Sequence, residues 1–157
     1  AARHDRHLRE NALDWTSTAM QTSTGLRRNG LFGVVVCLLV FALAPVTAGA
    51  HGFTRPLGWS LLLAFTLAAL AFSLHLIFDA LLFRLAGSHP DERSGLAAVD
   101  DSLARFGLRA AAAEPRPLAA RLSGSRGIVW RQRFALAVCL LVYGILLVDA
   151  VEGPVAC

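Results

Sequence analysis

The sequence predicts an all-α protein, a three-span transmembrane helical bundle with an amphipathic helix in the cytoplasmic loop between spans two and three. Hydrophobic residues make up 55% of the 157 residues, above the roughly 45–50% of soluble domains, and they gather in three long blocks. A bilayer core about 30 Å thick takes roughly 20 apolar residues in a helix. Because lipid offers no partners for bare backbone groups, each block is predicted to be helical.

The predicted spans contain few ionisable residues. The first has none and the second contains His75 and Asp79. The third has Arg131 and Arg133 at its start and Asp149 near its end. The ranges of the three spans are 30–50, 57–83 and 131–151.

A cleavable signal peptide is the alternative interpretation of the first block. Arg27 and Arg28 precede it, and residues 48–50 form a small-residue sequence typical of a cleavage site. The apolar run is longer than the hydrophobic region of a signal peptide, which favours a retained span.

Arginine placement predicts the orientation, because cytoplasmic loops carry an excess of basic residues. Before the first span lie Arg3, Arg6, Arg9, Arg27 and Arg28, and between the second and third lie Arg84, Arg93, Arg105, Arg109, Arg116, Arg121 and Arg126. The linker 51–56 has only Arg55, and the tail 152–157 has no basic residue. Segment 1–29 and loop 84–130 are therefore predicted to be cytoplasmic, with the tail outside. Abundant arginine without lysine is typical of a GC-rich genome, which indicates a bacterial inner membrane.

Residues at the ends of the spans are predicted to anchor them at the membrane interfaces. Trp59 lies near the outer interface and Trp130 near the inner one, as in an aromatic belt. Arg131 and Arg133 can extend to the inner headgroups. Since this accounts for the arginines, the net charge of +4 does not indicate nucleic acid. The expected partners are the lipid bilayer and other membrane protein subunits.

The polar N-terminal segment is predicted to lack a long helix. Asp14 is a candidate helix start, but hydroxyl residues cluster at 16–18 and 22–24, and such side chains compete with helical hydrogen bonds. We expect a short surface helix or disorder there.

The amphipathic helix is predicted at about 91–112. Ser88 and Asp91 have the spacing of a capping box, and Pro90 suits a first turn. An apolar stripe follows at helical spacing and consists of Leu96, Val99, Leu103 and Phe106.

The charged residues of this helix lie off its apolar stripe. They are Asp100, Asp101, Arg105 and Arg109, and Asp101 with Arg105 forms an i,i+4 pair. Two prolines end the helix, and a short helical stretch at 117–123 is predicted to be broken from span three by Ser123–Ser125. The amphipathic helix could lie on the membrane surface, pack against a partner subunit or fold back under its own spans.

His75 and Asp79 lie one turn apart on one face of span two. The same stripe contains Ala64, Ala68 and Ala71, and small residues let a neighbouring helix approach closely. This stripe is therefore predicted to be the packed face, with His75 and Asp79 directed into protein. The opposite side carries Leu62, Thr66, Leu70, Ser73 and Ile77.

Three interpretations of this polar pair follow, because ionisable residues inside a span are costly and often functional. The pair is structural, with Asp79 accepting bonds from His75, Arg84, Arg131 or Arg133. Alternatively, His75 ligates a haem together with a histidine of another subunit. In the third, the pair belongs to a proton or ion path, which suits the ordinary pKa of histidine.

Motifs of catalysis are missing from the sequence. It has no glycine-rich phosphate loop, no Ser-His-Asp or HExxH pattern and no Cys/His metal spacing. Cys37 and Cys139 are interpreted as small buried hydrophobes, and Cys157 as a free thiol or an interchain partner. Asp149 and Glu152 are interpreted as markers of the water interface. The protein is therefore predicted not to be an enzyme in itself.

The leading functional hypothesis is a non-catalytic accessory or structural subunit of a larger inner-membrane complex. The alternative is a membrane anchor of an electron-transfer complex that binds haem or quinone through His75. Three spans with the N-terminus inside and a histidine in span two are similar to the membrane anchors of succinate dehydrogenase, although their arginine- and serine-containing quinone motif is not recognisable and the second loop is longer. A homo-oligomeric channel or transporter is the third hypothesis.

Overall fold

The computed structural model describes the backbone of residues 2–48, 54–105, 107 and 118–152, and side chains within 14–48, 56–105, 107 and 121–151. These residues form four helices and no strand. The helices are α1 (Ala2–Thr47), α2 (Thr54–Gly87), α3 (Glu92–Arg105) and α4 (Leu118–Glu152). The all-α prediction is therefore confirmed for the described part of the chain.

Three of the helices are long and apolar enough to cross a membrane by length and composition. These stretches are Asp14–Thr47, Pro56–Gly87 and Arg121–Val151, with mean hydropathies of 2.5, 2.3 and 2.5. The second and third contain the spans predicted from the sequence. The first predicted span begins within α1, which ends at Thr47, and residues 49–50 lie outside the described range. The prediction of three long apolar helices is thus confirmed.

The prediction that the N-terminal segment lacks a long helix is wrong, because α1 continues from Ala2 into the apolar stretch. Hydroxyl side chains in this part bond to carbonyls one turn back: Ser17 Oγ donates to Asp14 O, and Thr24 Oγ1 to Met20 O, both at 2.9 Å. Such bonds accommodate the hydroxyls without breaking the helix. A buried stripe of Trp15, Ala19, Ser23 and Leu26 supplies the packing that local propensity lacks.

The predicted break at Ser123–Ser125 is also wrong, since α4 is continuous from Leu118 to Glu152. Ser125 is buried, and its Oγ lies 3.2 Å from the Arg121 carbonyl one turn back. Tertiary packing of this serine overrides the weak helix propensity of serine and glycine.

Capping between α2 and α3 differs from the predicted capping box. Asp91 is the N-cap of α3, because its Oδ1 accepts the Ser94 backbone N–H at 2.9 Å. Ser88 instead donates to the Leu85 carbonyl at 2.7 Å, at the C-terminus of α2. After α3, Gly107 has a φ of 67°, a left-handed conformation that glycine adopts without strain.

The chain divides into two compact units. The first unit comprises Ala1–Arg28 and Leu76–Arg126, and the second comprises Asn29–His75 and Gly127–Cys157. The core of the first unit contains Trp15, Ala19, Ala86, Leu96 and Val99. The core of the second has two clusters: Val40, Ala44, Leu62, Cys139 and Leu146, and Cys37, Ala69, Ala135 and Leu136.

Helix α3 folds back onto its own chain within the first unit. Leu96 and Val99 are buried against Trp15 and Ala19 of α1 and Ala86 of α2. Gly95 permits this contact, since a Cβ there would lie 2.5 Å from the Ala86 carbonyl oxygen. Leu96, Val99 and Leu103 of the predicted apolar stripe are therefore occupied by intrachain packing.

Several predictions fall outside the described residues. They concern Phe106 and the extension of α3 over 108–112, part of the linker 51–56, the tail with Cys157, and the side chain of Glu152.

Candidate functional site

The packed face of α2 in the second unit is the one that carries hydroxyl residues. Thr66 and Ser73 are 1% and 0% exposed, and Leu62 and Ala69 are buried beside them. The alanine stripe predicted to be the packed face is a different side of α2. The structure leaves Ala64 and Ala71 exposed and Ala68 half-buried.

Hydrogen bonding explains why the hydroxyl face is buried. Alanine tolerates contact with lipid, whereas hydroxyl and amide groups are stabilised where helices provide partners. Gln132 Nε2 donates to Ser73 Oγ at 2.8 Å and to the Asn29 carbonyl at 3.0 Å, joining α4 to α2 and α1. Ser73 Oγ in turn donates to the Ala69 carbonyl at 2.7 Å. Gly33 makes room, because a Cβ there would clash with both Ser73 Oγ and Gln132 Nε2. We call this group the glutamine node.

A second polar contact joins the same three helices through sulfur. Thr66 Oγ1 donates to the Leu62 carbonyl at 2.6 Å, so the Cys139 thiol, 3.1 Å away, is the donor to Thr66. Cys37 Sγ lies 3.6 Å from the Thr66 carbonyl oxygen. Both cysteines are free and fully buried, which agrees with their interpretation as small buried residues.

His75 lies on the side of α2 that carries the alanine stripe, the face predicted from the sequence to be packed. It is exposed, as are Ala64 and Ala71, which share its side of the helix. This side of α2 therefore carries small side chains followed by an ionisable ring. We call Ala64, Ala68, Ala71 and His75 the alanine–histidine face.

Asp79 belongs to the first unit and is half-buried. Ser125 Oγ lies 3.2 Å from its Oδ2, a partner that sequence reasoning did not identify. The basic residues proposed as donors, Arg84, Arg131 and Arg133, are exposed. A serine 46 residues distant in sequence carries no local signal of this contact.

An ion pair lies in the same unit and was also missed. Arg121 Nη2 donates to Asp100 Oδ1 at 2.7 Å, with side-chain exposures of only 15% and 17%. Asp100 was predicted only to lie off the apolar stripe of α3, with no basic partner. The predicted pair of Asp101 and Arg105 is present at 2.8 Å and is highly exposed.

The predicted interface anchors lie at the surface of the second unit. Trp130 is 72% exposed, Arg131 and Arg133 are exposed, and Trp59 is half-buried against the core. A cleft of about 450 Å³ separates α2 from α4, and its lining consists of Phe65, Ala68, Phe72, Trp130, Arg131, Phe134 and Ala135. We call it the aromatic cleft.

A second cleft of about 280 Å³ lies between α1 and α2. Its lining includes Phe41, Pro45, Trp59 and Leu63, and its polar side chains are those of Ser60 and Thr66. No charged side chain lines it among the described residues.

Metal binding has no cluster to support it in the described part of the chain, where no group of three or more His, Cys, Asp or Glu side chains could hold an ion. Asp149 is half-buried near the end of α4.

Comparisons of the chain with protein families, with curated proteins and with solved structures found no match.

Proposed function

We propose that the protein is a three-span integral membrane protein and a non-catalytic subunit of a larger inner-membrane complex. Membrane insertion is supported by the outer surface of the three apolar helices. Their exposed large side chains include Phe32, Leu38 and Val46 on α1, Leu63, Leu67 and Leu74 on α2, and Leu141, Ile145 and Val148 on α4. A water-soluble monomer rarely exposes so continuous an apolar surface.

The observation that carries the subunit proposal is the exposure of His75 within an apolar helix of membrane-spanning length. Ionisable residues of a membrane-spanning helix usually face protein rather than lipid. A partner helix laid along the alanine–histidine face would cover the exposed His75, and the small side chains of Ala64 and Ala71 would allow its backbone to come close.

Partner capture tests the proposal directly. We expect a photo-crosslinking amino acid at Ala71 to yield a stoichiometric adduct with one other membrane protein in native membranes. The matched control is the same amino acid at Leu141, which is 64% exposed on α4. Equal adducts at both positions, or adducts with this chain alone, would argue against a subunit of a hetero-complex.

The haem-anchor hypothesis is the second candidate, because a haem shared between two chains needs a histidine that the partner chain can reach, and His75 is exposed. Purification of the intact complex should then give a Soret band that His75→Ala abolishes while the complex stays assembled. The channel hypothesis gains less support, since Thr66 and Ser73 lie on the buried face of α2 and His75 on its exposed face.

The proposed orientation places the N-terminus and the loop in the cytoplasm and the tail outside. Thiol labelling from the outer side checks it. Because Cys37 and Cys139 are buried, a cysteine introduced at Ser102 should be protected in intact cells, whereas Cys157 should react.

A further inference from the structure

The aromatic cleft has the chemistry of a lipid site, independently of any partner complex. Phe65 and Phe72 of α2 and Trp130 and Phe134 of α4 line it. Phe65 and Phe72 are seven residues apart, so they cover about 10 Å along the helix. That length suits part of an acyl chain lying parallel to the helices.

One end of the cleft is cationic. Arg131 lines the cleft, whereas Arg133 on the same helix does not, although both are exposed. The ion pairs Arg121–Asp100 and Arg105–Asp101 do not involve Arg131. No acidic residue occurs in the sequence between Glu114 and Asp149, so no carboxylate along the apolar part of α4 competes for its guanidinium.

The headgroup end also carries an amphipathic ring. The Trp130 side chain is 72% exposed, and tryptophan prefers the depth at which the indole N–H reaches headgroups while its ring stays in apolar surroundings. Arginine binds phosphate oxygens in a planar, two-pronged arrangement. The second cleft, near Trp59, has a similar apolar wall but no charged side chain, so it has nothing to select a headgroup.

From these features we infer that the aromatic cleft binds one anionic phospholipid of the surrounding bilayer. An acyl chain lies against Phe65, Phe72 and Phe134, and the phosphate is held by Arg131 beside Trp130. An anionic headgroup is selected over a zwitterionic one, because the cationic group of the latter would lie near Arg131.

Native mass spectrometry of the full chain in detergent micelles, titrated with phosphatidylglycerol or phosphatidylcholine, tests the inference. We expect one phosphatidylglycerol to bind more tightly than phosphatidylcholine. Arg131→Gln should lower the affinity for phosphatidylglycerol about fivefold, which is the effect of one basic residue at an anionic surface. Arg133→Gln is the matched control and should leave the affinity unchanged. Equal binding of both lipids, or equal losses in both variants, would overturn the inference.

A second readout locates the lipid. In a Trp15→Phe/Trp59→Phe variant, phosphatidylglycerol with brominated acyl chains should quench Trp130 fluorescence, and Arg131→Gln should shift the quenching to higher lipid concentration. Displacement of the bound lipid by an isoprenoid benzoquinone, with no preference for lipid charge, would assign the cleft to a quinone and overturn the lipid assignment. A failed partner capture at Ala71 would leave both readouts unaffected.

Discussion

The two units bury polar groups in opposite ways. The first unit holds a half-buried carboxylate, Asp79, beside Ser125, and an ion pair between Asp100 and Arg121. The second unit uses neutral groups, the hydroxyl of Ser73 and the amide of Gln132. Asp149 and Glu152 are the only acidic residues of the second unit, and all the others belong to the first.

The cost of burying charge in a membrane explains this difference between the two units. A charge in hydrocarbon costs roughly 2.5–3.5 kcal/mol at the centre of a span, whereas a hydroxyl or amide satisfied by a neighbouring helix costs little. Neutral polar contacts can therefore fix helix register in the second unit without charge. In the proposed topology the first unit includes the loop between spans two and three, where water can solvate charged groups, so its stability should depend more on charge.

The largest expected effect comes from breaking the Arg121–Asp100 pair. Arg121→Met leaves a mostly buried carboxylate without its arginine and should lower the free energy of unfolding by roughly 3 kcal/mol. Arg105→Met is the matched control, since its pair with Asp101 is exposed at 77% and 59% and should contribute at most about 0.5 kcal/mol. Thermal unfolding in micelles measures both.

The reverse ordering of these two variants would refute the assignment of Arg121 as a structural residue. Restoration of stability by Asp100→Asn in the Arg121→Met background would support the electrostatic cause, because that change removes the carboxylate charge that Arg121 neutralises in the wild type. Loss of stability that Asp100→Asn does not relieve would indicate packing instead.

The next largest effect tests the glutamine node of the second unit. Gly33→Val places a branched side chain where Ser73 Oγ and Gln132 Nε2 lie, and overpacking of this kind costs about 1–3 kcal/mol. Gly144→Val is the control, because a Cβ at that position of α4 meets nothing within 4 Å. Equal melting temperatures for the two variants would show that the close approach at Gly33 is not a constraint.

Helix number and position were predictable because they depend on properties of single segments. Apolar block length located three helices, and the i,i+4 rule found Asp101–Arg105. The packed face of α2 was not predictable from the alanine stripe, since Ala64 and Ala71 fit lipid as well as they fit a neighbour. The buried side of α2 is the one whose Ser73 accepts a hydrogen bond from Gln132, 59 residues away in the sequence. No local sequence pattern indicates this contact.

The continuous α1 and α4 illustrate the same limit. Serine, threonine and glycine near residues 16–24 and 123–125 lower local helix propensity, which led to predicted breaks. Burial of Ser23, whose Oγ donates to the Ala80 carbonyl at 2.8 Å, and of Ser125 adds tertiary contacts that outweigh this propensity. The sequence did contain one indication of a continuous α1. Trp15, Ala19 and Leu26 recur at helical spacing through the polar segment.

The smallest expected effect is a pH dependence of the first unit that arises from Asp91. Hydrogen bonds from the backbone N–H and hydroxyl of Ser94 lower the pKa of the exposed Asp91 carboxyl. A carboxylate whose folded pKa lies below its unfolded value contributes stability above the ordinary aspartate pKa of about 3.9. That contribution disappears as the pH falls through the lower folded pKa. Since Asp91 caps α3, acid should loosen the start of α3 before it affects the second unit.

Hydrogen exchange of the Ser94 amide measures this loosening. Its protection, corrected for the intrinsic pH dependence of exchange, should fall below about pH 3.9 in the wild type. Asp91→Asn keeps a side-chain acceptor at the N-cap but cannot titrate in this range, so its protection should stay constant. Glu92→Gln removes a neighbouring exposed carboxylate and should preserve the wild-type profile. If Asp91→Asn shows the same acid loss as the wild type, another carboxylate of the first unit controls the opening of α3, and the half-buried Asp100 would be the next to substitute.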